Sequence, residues 1–208
     1  MMKLAALSLS LLPITSAVPS AVSDEAAFEQ QPASGRDACT APTPLVAGRA
    51  NILLIGDSIS MGGSGYSLFV QDMIQTSTKG ALASVQHGGG FGGGGQMASS
   101  NNGVAKVNAC MGNATGTLKP HAWSVVTYNA GLHDCDTTER VLPTAYRANL
   151  KGIFEAMKMG AAKAVFVTTT PYDIEVKGKI QYPAGINMSC VLEYNVIAKK
   201  VAAEVGGM

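Results

Sequence analysis

The chain has 208 residues, 47% of them apolar, with 15 Lys+Arg against 14 Asp+Glu and a formal net charge of +1. That balance gives no electrostatic attraction to nucleic acid or to an acidic membrane surface, and 6% aromatic residues are too few for a single-strand stacking platform. The apolar content suffices for the core of one domain, although 24 glycines are many for a compact α/β fold.

Met1-Met2-Lys3 is a short basic start, and Leu4 to Ala17 is apolar apart from Ser8, Ser10, Thr15 and Ser16. Small residues suited to cleavage follow, either Thr15-Ser16-Ala17 or Pro19-Ser20-Ala21. Residues 1–21 therefore read as a secretory signal peptide, whose apolar run falls short of the roughly 20 residues that a membrane span needs. No later apolar stretch reaches that length either. The expected product is soluble, secreted and without a membrane span. Residues 22–48, rich in Ala, Ser, Pro and Gln with no sustained period, read as a low-complexity leader, and 49–208 as the folded domain.

Secretion makes Cys39, Cys110, Cys135 and Cys190 candidates for two disulfides, with three connectivities open. The preferred pair is Cys110 with Cys135, because both are expected near the top of the third strand. Asn113-Ala114-Thr115 and Asn187-Met188-Ser189 are glycosylation acceptors in keeping with a secretory route.

From residue 49 onward the pattern alternates strand and helix. Asn51–Ile55 is the first strand, and its Ile52–Ile55 is a continuous apolar run bounded by glycine, the mark of a strand buried on both faces. Tyr66–Gln75, carrying Leu68, Phe69, Met73 and Ile74, reads as the first helix, and Ala81–Gln86 as a short second strand. An irregular Gly- and Asn-rich stretch is expected up to Gly116. Trp123–Tyr128 is the third strand, with Trp123 in the core. Leu142, Tyr146, Leu150, Ile153, Phe154 and Met157 recur at helical spacing, with Pro143 in the first turn and Gly160 past the end. Ala164–Thr168 is the fourth strand, and Val191, Tyr194, Ala198, Val201 and Val205 mark a last helix stopped by Gly206-Gly207. This order predicts a parallel, doubly wound sheet with right-handed crossovers, with no internal repeats.

Three strand ends carry chemistry-bearing residues. Gly56-Asp57-Ser58 follows the first strand and makes Ser58 a candidate nucleophile. It is not the Gly-x-Ser-x-Gly elbow of α/β-hydrolases. His87 and a run with seven glycines between Gly88 and Gly95 follow the second, and such backbone can bring N–H groups close to an oxyanion. The run lacks the endings of a phosphate-binding loop. Asn129-Ala130-Gly131-Leu132-His133-Asp134 follows the third. His87 and His121 are expected to be loop or surface residues.

In this order the three blocks resemble the SGNH (GDSL-type) hydrolase superfamily. Gly-Asp-Ser-Ile at 56–59 matches its first block, His87 through Gly95 lies where the second supplies an oxyanion-hole glycine, and Gly131-Leu132-His133-Asp134 matches the third, usually Gly-x-Asn-Asp. The resemblance, running from Arg49 to Gly207, implies a three-layer α/β/α sandwich with a flavodoxin-like parallel sheet. It implies hydrolysis of a carboxylic or carbohydrate ester through a Ser58 acyl-enzyme. The backbone N–H of Ser58, that of Gly93 and the His133 imidazole would hold the oxyanion. His133, expected near Ser58, is also a candidate substitute base with Asp134 or Asp136 as its orienter, and no cofactor or metal is called for.

One departure from the family is larger than the His133 substitution. The family's general base stands in a late Asp-x-x-His block after a fifth strand, whereas His87, His121 and His133 all precede the fourth strand here. The expectation is thus a domain without that last strand and base. A serine hydroxyl is a poor nucleophile without an adjacent base. A glycan- or ester-binding protein that keeps the cleft, or an inactive fragment, is therefore the alternative to an enzyme. Oligomeric state is not legible.

Overall fold

A run of aliphatic residues such as Ile52–Ile55 needs burial on both sides, which a parallel sheet lying between helices supplies. The computed structural model describes residues 45–57, 60, 66–78, 83–88, 99–112, 119–137, 140–170, 174–176, 179–181, 186 and 188–207. The signal peptide, the leader up to residue 44, Ser58, Gly93, Cys39 and the glycosylation acceptors Asn113 and Asn187 lie outside these residues.

The strands β1 (Ala50–Ile55), β2 (Ala83–Gly88), β3 (Trp123–Asn129) and β4 (Ala161–Val167) form one sheet in the order β2-β1-β3-β4. Every neighbouring pair in it is parallel. Successive side chains of a strand point to opposite faces. Leu53, Leu54 and Ile55 are nevertheless all buried, as are Val126, Thr127, Tyr128 and Asn129, so both faces of the central strands are covered. Edge strand β4 differs, leaving Ala162 and Lys163 exposed.

The helices are α1 (Tyr66–Thr78), α2 (Gly103–Met111), α3 (Pro143–Gly160) and α4 (Met188–Val205). Helix α1 packs on β2, while α2, α3 and α4 pack side by side. Pro143 opens α3, where a missing N–H costs nothing. Tyr146, Leu150, Ile153, Phe154 and Met157 form its buried stripe as their spacing predicts, and α4 buries Val191, Tyr194, Ala198 and Val201. Tyr146 and Tyr194 stack with ring centroids 4.3 Å apart, joining the two helices. Trp123 is fully buried and donates its indole N–H to the Met111 carbonyl at 3.4 Å.

Four sequence expectations change. The stretch before Gly116 is not irregular throughout, because it contains α2, introduced by a short 3-10 turn at Ser100–Asn102. Leu142 is not part of the α3 stripe; it precedes the helix and is exposed. A small antiparallel hairpin, β5 (Ile174–Val176) with β6 (Lys179–Gln181), lies between β4 and α4. The preferred pairing of Cys110 with Cys135 is replaced by Cys135–Cys190, with a Cα–Cα distance of 5.7 Å, and Cys110 is itself disulfide-bonded. The reason is that α4 lays its buried Cys190 against the turn after β3, whereas Cys110 faces the core from α2.

The Cys135–Cys190 bridge closes a 55-residue separation. Replacing both cysteines by serine is expected to lower the unfolding free energy by about 2–4 kcal/mol, as read from denaturant melts of the oxidised proteins. An unchanged midpoint would contradict the assigned pairing.

Candidate active site at the carboxyl ends of the strands

In the sheet register Ile55 lies opposite Gly88 on one side and Tyr128 on the other, and Asn129 lies opposite Val167. The chain therefore leaves the four strands at one level, where parallel sheets carry their sites.

The first corner is tight. A Cβ on Gly56 would stand 2.1 Å from Ser60 Oγ and 3.4 Å from the Asn129 Cβ, so no larger residue fits without moving Ser60. The Ser60 N–H donates to the Asp57 carbonyl at 3.0 Å, and the Ser60 hydroxyl donates to Asn129 Oδ1 at 3.2 Å. Asn129 in turn donates from Nδ2 to the Val167 carbonyl at 2.7 Å. One buried amide thus ties the ends of β1, β3 and β4 together. Ser67, the second residue of α1, closes on the Ser60 carbonyl with its hydroxyl. The Tyr66 hydroxyl lies beside Ser60 and Thr127, and burial raises its pKa.

The second corner turns at Gly131, whose φ of +135° is a conformation that residues with a side chain rarely adopt. The hydroxyls of Thr169 and Tyr146 both donate to the Ala130 carbonyl, at 2.9 and 3.2 Å. Thr169 is held in turn by Asn195, which accepts the Thr169 N–H at 2.9 Å and donates to its carbonyl at 2.7 Å. A 3-10 turn, His133–Cys135, follows.

Asp134 in this turn is fully buried. Its Oδ1 accepts the backbone N–H of Ser100 at 2.9 Å and the Ser100 hydroxyl at 2.5 Å. Asn149 of α3 steadies the arrangement, donating to Ser100 Oγ at 2.9 Å and to Asn101 Oδ1 at 2.8 Å. Burial raises the Asp134 carboxyl above its ordinary value; the two Ser100 bonds and the charges of His133 and Lys106 pull it back. Lys106 of α2, only 5% exposed, is the cation of this interior. Burial lowers its pKa to about 8, against the pull of Asp57 and Asp134, whose charges both act on it. Tyr128 in β3 is pushed up by burial first, then by Asp134 and Asp57.

Of the residues singled out in the sequence, Ser58 directly follows the described Asp57 but lies, like Gly93, outside the described residues. His133 is half-buried in the second corner, next to Asp134. Among the described residues no hydrogen bond joins Asp134 to the His133 ring; the carboxylate holds Ser100 instead. His121 sits exposed in a turn at the amino end of β3, away from the site, and His87 lies in β2. A shallow concavity of about 300 Å³ beside β4 includes His121, Lys158 and Lys163 but no hydroxyl or thiol. Sequence reasoning missed Lys106, Ser100 and Asn149. A signal for Lys106 existed: Gly103, Lys106, Val107, Cys110 and Met111 follow helical spacing and form the buried face of α2. Among the described residues no cluster of His, Cys, Asp or Glu could hold a metal ion, and no helix is long and apolar enough to cross a membrane.

No protein-family model and no curated protein sequence matches the chain. Its fold is similar to several solved structures. LAE5, an alpha/beta hydrolase enzyme from the metagenome of Lake Arreo, Spain, is 18% identical with a TM-score of 0.55, over 76% of this chain and 74% of that one. The lipase/acylhydrolase from Enterococcus faecalis is 17% identical with a TM-score of 0.54, over 76% and 73%. Axe2, an acetylxylan esterase from Geobacillus stearothermophilus, is 19% identical with a TM-score of 0.56, over 79% and 76%. The chain therefore has the α/β/α fold of the SGNH-type hydrolases.

Asp134→Ala removes the acceptor of both Ser100 bonds and is expected to cost about 2–3 kcal/mol of stability in denaturant unfolding. Asp134→Asn tests the charge. A carboxyl whose folded pKa is raised stabilises most below its unfolded pKa, and that contribution is lost as pH rises through the folded value. Any advantage of wild type over Asp134→Asn should therefore shrink between acid and neutral pH, and a growing advantage would refute the assigned direction.

Proposed function

We propose that the chain is a secreted serine ester hydrolase of the SGNH type, acting on carboxylic or carbohydrate esters through an acyl-enzyme on Ser58. The Ser58 hydroxyl attacks the ester carbonyl carbon. The oxyanion that develops is held by the Ser58 backbone N–H, a glycine N–H of the 88–95 run, assigned to Gly93, and the His133 imidazole N–H. The alcohol leaves, and water releases the acid from Ser58. No cofactor is needed.

The observation that carries this reading is the meeting of two strand-end corners. Gly56-Asp57, directly before Ser58, and Asn129 to Asp134, which contains His133, are joined by the Ser60–Asn129 hydrogen bond. The esterase and acylhydrolase titles of the structural neighbours support the reaction class. Residues 1–21 and the Cys135–Cys190 disulfide support an oxidising, extracellular destination. The near-neutral charge favours a small or carbohydrate ester over nucleic acid.

Hydrolysis of aryl acetates and of acetylated xylo-oligosaccharides by the purified protein tests the proposal. Turnover that falls by roughly 10³-fold or more in Ser58→Ala is the expected result. Turnover that survives the substitution, or tight glycan binding without any turnover, would overturn it.

A further inference from the structure

Helix α4 carries no residue of the proposed reaction, yet its first eight residues reach the loops that follow β3 and β4. Cys190 is joined to Cys135, the last residue of the 3-10 turn His133–Cys135, with their Cα atoms 5.7 Å apart. The Tyr194 hydroxyl donates to the Val141 carbonyl, and the Val141 N–H donates to the Asp134 carbonyl at 3.0 Å. Asn195 grips both backbone groups of Thr169 just beyond β4, at 2.9 and 2.7 Å. Shortly before the helix, Ile186 pairs with Asp136 in an antiparallel bridge. The far end of α4 is tied differently. There Glu204 meets Arg147, and the Val205 carbonyl accepts from Lys158, both partners standing on α3.

Two of these links converge on one carbonyl. Thr169, gripped by Asn195, donates its hydroxyl to the Ala130 carbonyl at 2.9 Å. Tyr146, stacked on Tyr194, donates to the same oxygen at 3.2 Å. Gly131 leaves room for both hydroxyls, since a Cβ there would lie 3.0 Å from Thr169 Oγ1 and 3.2 Å from the Tyr146 hydroxyl. The turn that follows needs such bracing, because a 3-10 segment this short has few hydrogen bonds of its own and poor geometry in them. Its local bonds run from the Cys135 N–H to the Leu132 carbonyl at 3.0 Å and from the Asp136 N–H to the His133 carbonyl at 3.3 Å. Ser100 braces the turn through the Asp134 carboxylate, and α4 braces it through Cys135 and Val141.

We infer that Cys190, Tyr194 and Asn195 are positioning residues, which clamp the turn that carries His133 and do so fully only when Cys135 and Cys190 are joined; this rests on the reading of His133 as an oxyanion donor. Such a donor works only where it is held within about 0.5 Å of its productive place, and a misplacement of about 1 Å can cost about 10²-fold in rate. The His133 imidazole swings on its side-chain torsions, so the path of the backbone through the turn decides where its N–H can point. The bridge forms in an oxidising compartment. Oxidation is thereby a condition of the assembled site and not of the fold alone.

The test compares oxidised wild type with Tyr194→Phe, Asn195→Asp and the double variant Cys135→Ser/Cys190→Ser. Tyr194→Phe keeps the ring stack, and Asn195→Asp keeps the acceptor for the Thr169 N–H while losing the donor to its carbonyl. Hydrogen exchange read by NMR follows the Asp136 and Val141 N–H groups, with that of Leu53 in β1 as the measure of global opening. The His133 ring signal, identified by its loss in His133→Gln, is followed beside that of His121 at the amino end of β3. In Tyr194→Phe and the double variant, exchange at Asp136 and Val141 should accelerate roughly tenfold or more beyond that at Leu53. In all three variants the His133 signal should move while that of His121 stays, and kcat on aryl acetates should fall roughly tenfold or more with KM little changed. Exchange at Asp136 and Val141 that merely follows Leu53, with an unmoved His133 signal, would overturn the clamp. A loosened turn with unchanged kcat would overturn the positioning role and leave the esterase reading intact. Wild type without Ser58-dependent turnover would overturn the esterase reading, and the catalytic use of the turn with it.

Discussion

The hydrogen bonds from Ser100 to the buried carboxylate of Asp134 hold the upper part of this molecule in one arrangement. A carboxylate removed from water costs several kcal/mol unless bonded to compensating donors, and here a backbone N–H and a hydroxyl both reach the same oxygen. Because Asp134 follows β3 and Ser100 precedes α2, the pair ties a strand end to a helix start 34 residues earlier in the chain. Asn149 of α3 then binds the same serine, so three elements converge on one hydroxyl.

Close approach is the second theme. Gly56 lets Ser60 fold back over the end of β1, and Gly103 lets α2 settle on Tyr128 and Ile153. At Gly56 the missing side chain leaves room for the Ser60 hydroxyl to reach Asn129. Asn129 links three strand ends, and the Ala130 carbonyl accepts from both Thr169 and Tyr146. Such a network is rigid because each member leaves a buried polar atom unsatisfied if it departs. Rigidity of this kind suits a site that must hold donors at the place where charge develops.

The elements with strong periodicity were legible from the residues. Helix α3 and the burial of Trp123 follow their patterns closely, because apolar spacing and a proline at the first turn act locally. Helix α2 was hidden for an equally physical reason. Its nine residues include a glycine, a lysine and an asparagine, poor signals for an amphipathic helix, and the lysine occupies a core position. The disulfide pairing was also beyond reach, since Cys135 meets Cys190 only after α4 has packed beside α3.

For the site, the residue types were visible and their partners were not. The sequence alone determined that a Gly-Asp-Ser corner and an Asn-Ala-Gly-Leu-His-Asp segment each end a strand, the first from the apolar run Ile52–Ile55 closed by Gly56 and the second from the β-branched and aromatic stretch Trp123–Tyr128. Only the tertiary structure decided that Asp134 binds Ser100 rather than the His133 ring, and that Lys106 shares the interior with Asp57 and Asp134. The Ser100–Asp134 bonds join residues 34 positions apart in the chain. Their geometry depends on how α2 seats against the sheet, which no local pattern of residues encodes.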